Sequence, residues 1–190
     1  IFLYIKNNID WRKFIVRDFM DPRIKSLANL FTQNKYQIEH LEPTICPYLT
    51  LPDTWDDYLM TVLSTKARRN LRRALKDIDN LESFHVIETN DKNFERQLKV
   101  LLTQWQNRWE NLPSTRLNMC DALLRNAFKH NILRLVTFWN NDVSIGAKAR
   151  FVDRKKNTIS GFMDTWNKDP IGIRSPGHAL SAIDIKYAIE

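Results

Sequence analysis

The stretch that decides the fold is Ile132-Leu133-Arg134-Leu135-Val136-Thr137-Phe138-Trp139, followed by Asn140-Asn141-Asp142 and Val143-Ser144-Ile145-Gly146-Ala147-Lys148-Ala149-Arg150-Phe151-Val152. The first eight residues are rich in aliphatic, β-branched and aromatic side chains and read as one strand. Asn140-Asn141-Asp142 is a tight turn. From Val143 to Val152, Ile145, Ala147, Ala149 and Phe151 alternate with Ser144, Gly146, Lys148 and Arg150. That period of two predicts an antiparallel strand with one face buried and one polar. After Arg154-Lys155-Lys156 a third strand runs from about Asn157 to Trp166, so the three form a meander. Residues 167–174 lead from it into a final helix opened by Ser175-Pro176-Gly177.

Working back from the meander, the period changes from two to that of a helix. Phe94, Leu98, Leu101, Leu102, Trp105 and Trp109 make one apolar stripe, which Pro113 ends. Met119, Cys120, Leu123, Leu124, Ala127 and Phe128 make a second, and both stripes read as core. Ser83 to Thr89 is a short strand. Thr54-Trp55-Asp56-Asp57 is a capping box with Asp in the place of Glu, opening a helix through Leu63. Ser64 or Thr65 caps the next helix, which ends near Asn80. Pro43 to Pro52 holds three prolines and is a connector. Before it, Trp11 to Arg17 and Tyr36 to Leu41 read as strands flanking a helix from Asp21-Pro22 to about Asn34. The fold class is therefore mixed α/β (α+β). The expected organisation is a strand–helix–strand segment over residues 1–45 and one domain over residues 46–190.

Composition excludes several classes. The 190 residues are 43% hydrophobic and 27% charged, the profile of a globular chain rather than a disordered one. No apolar run approaches the roughly 18 residues of a membrane span. Cys46 and Cys120 have no metal-ligand spacing, and the four histidines form no His-x-x-x-His pair, so neither a disulfide framework nor a structural metal site is expected. The cytoplasm is the default compartment. A chain that opens on Ile1 and stops inside a helix reads as an excerpt of a longer polypeptide.

The charge is concentrated. Of a net +7, Lys66, Arg68, Arg69, Arg72, Arg73 and Lys76 supply six within eleven residues that hold no acid. Leu63, Ala67, Leu71, Leu75 and Ile78 recur at helical spacing and can face a core, so the cations project from the other side. Such a run is either a solvated face or an anion cradle, since guanidinium groups bind phosphate and carboxylate bidentately.

The last helix start can also take an anion. Ser175 is a favoured N-cap, Pro176 suits the first helical position, and Gly177 admits close approach to the backbone. A self-contained capping box would place Glu or Gln at residue 178, where this chain has His178. The first-turn N–H groups and the positive end of the helix dipole are thereby left for a ligand.

These residues together resemble a known family. Cys46-Pro47-Tyr48-Leu49, Leu51-Pro52, Trp55-Asp56-Asp57-Tyr58-Leu59 and Leu63-Ser64-Thr65-Lys66-Ala67-Arg68-Arg69-Asn70-Leu71-Arg72-Arg73 are similar to the CelD/BcsL-like acetyltransferases of the GNAT superfamily, which are related to the FemABX peptidyltransferases. Asn107-Arg108-Trp109-Glu110 looks like that family's Arg-Trp element. Asp169-Pro170 with Ser175-Pro176-Gly177-His178-Ala179-Leu180 resembles its Asp-Pro … Ser-Pro-Gly-x-x-Leu segment. The chain departs from the pattern in having Asn167-Lys168 before Asp-Pro, and it stops before the family's later strand.

The resemblance implies a GNAT-like acyltransferase fold whose meander and following phosphate-binding helix form the acyl-CoA half, with residues 1–45 the tail of a preceding GNAT-like half. It places the pantetheine along Asn157 to Trp166 and the pyrophosphate at Ser175 and the N–H groups of Gly177, His178 and Ala179. The implied co-substrate is acetyl-CoA or another acyl-CoA, with no metal. The acceptor is a small-molecule or saccharide amine, such as an amino sugar or envelope precursor, and Lys66, Arg68, Arg69, Arg72 and Arg73 are available to an acidic one. Candidate bases are Asp164, Asp169 and His178. Two alternatives stand beside this: a FemABX-like transferase fed by aminoacyl-tRNA, whose phosphates the basic helix would meet, and a non-catalytic binding module.

Overall fold

A computed structural model describes residues 2–16, 22–39, 47–109, 112–167 and 172–190. The chain folds as two units, Ile1–Thr50 and Leu51–Glu190.

In the first unit, α1 (Phe2–Asn8) and α2 (Arg23–Gln33) pack through Phe2, Ile5 and Phe31. Lys35 takes a positive φ of 65° just past α2, and the amides of Lys35 and Tyr36 bond back to Thr32 and Phe31, closing the helix in a Schellman-type turn. The strands expected at Trp11–Arg17 and Tyr36–Leu41 do not form over their described parts, residues 11–16 and 36–39. Trp11, Phe14 and Tyr36 instead gather round Phe31, with ring centroids 5.6–5.9 Å from it. Aromatic packing on a helix has overridden strand propensity there.

The second unit opens with α3 (Trp55–Asp57), which runs on as a π-helical turn over Tyr58–Val62 rather than as a regular helix to Leu63. The Thr54 side chain accepts from the Asp57 amide, as the capping box requires. Ser64 accepts from the Ala67 amide and caps α4 (Thr65–Asp79), whose last turn closes at Asn80. Then follow β1 (Phe84–Glu88), α5 (Phe94–Arg108), α6 (Ser114–Lys129), β2 (Leu133–Asn140), β3 (Val143–Asp153), β4 (Thr158–Trp166) and α7 (Pro176–Ile189). Asn131, at φ 55°, ends α6 in a second Schellman-type turn. Asn141, at φ 51°, makes the turn between β2 and β3.

The expected meander is present but larger than read. β1 joins it, giving an antiparallel sheet in the order β1-β2-β3-β4. One face carries Leu135, Ala147, Ala149 and Met163 against Leu98, Leu101 and Leu124 of α5 and α6. Within the α5 and α6 stripes, Trp109, Met119 and Leu123 are exposed rather than core.

The other face is covered as well, which corrects the half-buried reading of β3. Val136, Phe138 and Ile145 pack against Ala179 and Leu180 of α7 and Ala74 and Ile78 of α4. Gly146 sits where a Cβ would lie 2.6 Å from both the Leu180 Cδ1 and the Thr165 carbonyl, so the close approach of α7 to the sheet requires glycine. Lys148 and Arg150, expected on a solvated face, are buried.

Candidate functional site

Burying Lys148 and Arg150 requires partners, and the chain supplies them from two elements. Asp184 on α7 accepts from Arg150 Nε at 2.5 Å and from Arg134 Nη1 on β2. Asp164 on β4 accepts from Arg150 Nη1 at 2.5 Å and from Lys148 Nζ at 3.2 Å. Glu88 on β1 accepts from Arg134 Nη2 at 2.6 Å, and the Arg134 guanidinium lies 3.6 Å over the Tyr187 ring. Three cations from β2 and β3 thus meet three carboxylates beneath α7. Lys148 Nζ also donates to Ser181 Oγ at 3.0 Å, and Ser181 donates to the Gly177 carbonyl at 2.8 Å, tying the cluster to the first turn of α7. Burial pushes the Lys148 ammonium below its usual range.

This cluster settles where one candidate base stands. Burial would raise the Asp164 carboxyl, but the hydrogen bond from Arg150 and the charges of Lys148 and Arg150 outweigh it and hold it below the usual range. A carboxylate so engaged is a poor proton acceptor, and its geometry is that of an ion-pair partner. Asp169 lies outside the described residues.

The start of α7 differs in detail from its sequence reading. Ser175 occupies the N-cap position with φ −145° and ψ 69°, but its side chain makes no cap hydrogen bond. The Ala179 N–H is not available to a ligand, because it donates to the Ser175 carbonyl at 3.1 Å. The N–H groups of Gly177 and His178 have no acceptor among the described residues. A Cβ at Gly177 would stand 3.4 Å from the Trp166 indole, at the edge of ordinary van der Waals contact, and that ring also lies 3.5 Å from the Arg108 guanidinium. His178 is exposed, and its ring has no hydrogen-bond partner among the described residues.

The segment before α7 is fixed to α4. Arg174 donates through Nη2 and Nε to the two oxygens of the buried Asp77 at 2.7 and 3.0 Å, and its amide adds a third bond at 3.2 Å. The hydrogen bond from the Arg174 side chain is the main cause of an Asp77 carboxyl held below the usual range.

Beside that junction a groove of about 360 Å³ opens between α7, α4 and the π-helical turn. Its walls are Leu63, Ala67, Leu71, Ala182 and Ile185, and its polar groups come from Tyr58, Ser64, Lys66, Asn70, His178 and Ser181. No carboxylate among the described residues lines it. Sequence reasoning missed Tyr58, whose ring is buried and whose hydroxyl reaches solvent with no partner among the described residues. Burial pushes this phenol up, so it stays a hydrogen-bond donor. The one signal that could have found it is its place next to the capping box, and that fixes no side-chain direction.

Arg68, Arg69, Arg72, Arg73 and Lys76 line a separate, shallower concavity of about 480 Å³ on the outer face of α4. None of them, nor Lys66, makes an ion pair with a described residue. The structure therefore separates the basic face from the groove, with Lys66 alone of the cations lining the latter. No helix among the described residues is long and apolar enough to cross a membrane. Set against protein-family models and against curated proteins, the chain matches none.

Proposed function

We propose that this chain carries the acyl-CoA site of a GNAT-type N-acyltransferase, taking acetyl-CoA or another acyl-CoA as donor and an amine as acceptor. The observation that carries the reading is the start of α7: two N–H groups without acceptors among the described residues, on a helix that follows the meander and opens on a groove that no described carboxylate lines. The residues present fit a diphosphate there. Gly177 and His178 would donate to it, and Ser175, whose hydroxyl caps nothing, adds a further donor. A thioester is already activated, so the protein's contribution is to position donor and acceptor and to receive the amine proton. Of the described candidate bases, His178 has a free ring and Asp164 does not.

The test is a thermal-shift titration with CoA and acetyl-CoA on the chain and on His178→Glu. A ligand at ~100 times its dissociation constant adds about 2.7 kcal/mol, several degrees for a chain of this size. Glu at position 178 places a carboxylate in the first turn of α7, where it suits the helix dipole, and leaves the fold as stable or up to about 1 kcal/mol more so. Its carboxylate takes the place of the diphosphate, so the ligand-induced shift should vanish. An undiminished shift in the variant would refute the site.

A second reading, with aminoacyl-tRNA as donor, is favoured by the unpaired cations of α4. Salt-sensitive tRNA binding in the absence of any CoA shift would select it.

A further inference from the structure

The outer face of α4 is used neither by the fold nor by the donor site. At 3.6 residues per turn, Arg68, Arg69, Arg72, Arg73 and Lys76 fall within an arc of about 140° and extend along about 12 Å of helix. All but Arg68 are exposed, and none makes an ion pair with a described residue. A solvated helix face ordinarily sets acids three or four residues from its bases. None of Arg68, Arg69 and Arg72 has such a neighbour, and the one within reach of Arg73, Asp77, is buried against Arg174. The pairs Arg68/Arg72, Arg69/Arg73 and Arg72/Lys76 instead set like charges one turn apart, where they repel. An anionic partner relieves that repulsion.

What borders the face narrows the partner's chemistry. Met60, on the π-helical turn just before α4, is 60% exposed, and its sulfur lies against Arg68 Nη1. Val62, on the same turn, is 36% exposed. A nucleic-acid backbone would bring phosphates to this face but nothing for a thioether. No aromatic ring among the described residues lines the concavity, so an unpaired base has nothing there to stack on. A membrane surface with anionic headgroups supplies both halves: phosphates for the guanidiniums and, just beneath them, acyl chains for the methionine.

We infer that the outer face of α4 docks on an anionic phospholipid surface, with its arginines among the headgroups and Met60 at the acyl boundary. This docking is independent of the acyl-CoA site. The groove takes Ala67, Asn70 and Leu71 from α4, positions outside the cationic arc, so both surfaces can be occupied together.

The experiment is sedimentation of the full chain with vesicles of phosphatidylcholine containing about 30% phosphatidylglycerol, beside vesicles of phosphatidylcholine alone, at about 100 mM salt. The chain should bind the anionic vesicles and not the neutral ones, and about 500 mM salt should release most of it. Arg69→Gln/Arg72→Gln should bind about 25-fold more weakly, fivefold for each cation, with its unfolding temperature unchanged. Lys155→Gln/Lys156→Gln removes the same charge from the exposed turn between β3 and β4 and should lose less than about threefold. Met60→Ser should weaken binding by about threefold or more and leave its salt dependence as it was. Equal losses in the two paired variants would mean that net charge alone drives binding, and would overturn the assignment. So would equal binding to both kinds of vesicle, or binding to neither. Weak vesicle binding beside tight binding of bulk tRNA, indifferent to Met60→Ser, would give the face to nucleic acid instead.

Discussion

Asp184 is the residue on which the far face of the sheet depends, and its removal has a calculable cost. Its side chain is 7% exposed and accepts from two guanidiniums, those of Arg134 and Arg150, which are themselves 7% and 10% exposed. In Asp184→Ala both stay buried, but neither is left bare. Arg134 keeps Glu88, at 52% exposure, and Arg150 keeps Asp164, at 39%. Breaking a buried pair by deleting one partner costs about 3–5 kcal/mol, and the surviving half-exposed partners put this case at the low end, about 3 kcal/mol. For a chain of this length that is a fall in unfolding temperature of roughly 6–12 °C. The assay is thermal and urea unfolding of Asp184→Ala beside Glu88→Gln, whose half-exposed pair should cost under about 1 kcal/mol. A loss below about 1 kcal/mol in Asp184→Ala, or equal losses in the two variants, would refute the view that α7 is held to the sheet by a buried carboxylate.

Three further outcomes follow from the same geometry. Gly146→Ala should lose about 3 kcal/mol in urea unfolding, the upper range for overpacking, because one of the two atoms at 2.6 Å is backbone; a loss under 1 kcal/mol would mean that α7 can move off the sheet. The carboxyls of Asp77 and Asp164 are both held below the usual range in the folded chain. Below about pH 4 the unfolded chain therefore binds more protons than the folded one, so stability is complete above that pH and falls as pH drops through the depressed values. Asp77→Asn should flatten part of this acid limb in urea midpoints taken at pH 7, 4 and 3, and an unchanged limb would place the dependence elsewhere. Replacing the exposed Arg69 and Arg72 with Ala should leave stability within about 0.5 kcal/mol and CoA affinity unchanged, since neither lines the groove; an equal loss of CoA affinity in titration would show that the two surfaces are one.

A short window of residues encodes period, turn chemistry and capping, and little else. The alternation from Val143 to Val152 and the Asn141 turn were legible because period and turn chemistry are local. So were the Thr54 and Ser64 caps, the α5 and α6 stripes, and the concentration of charge on one helix. The start of α7 at Pro176 was legible for the same reason: the cap position and the first helical proline are adjacent residues. Tertiary structure decided the rest. Lys148 and Arg150 look like a solvated face until Asp184, on a helix more than thirty residues later, is laid over them, and no local pattern announces that pairing. The aromatic residues flanking α2 have strand propensity, yet Phe31 gathers them into a cluster. Gly177 reads as room for a ligand and has the Trp166 indole for a neighbour, while Tyr58 comes to line a groove only because α4 and α7 lie side by side. Propensity and capping act over a few residues, but burial, and with it every ion pair and groove described above, depends on which distant surface closes over a side chain.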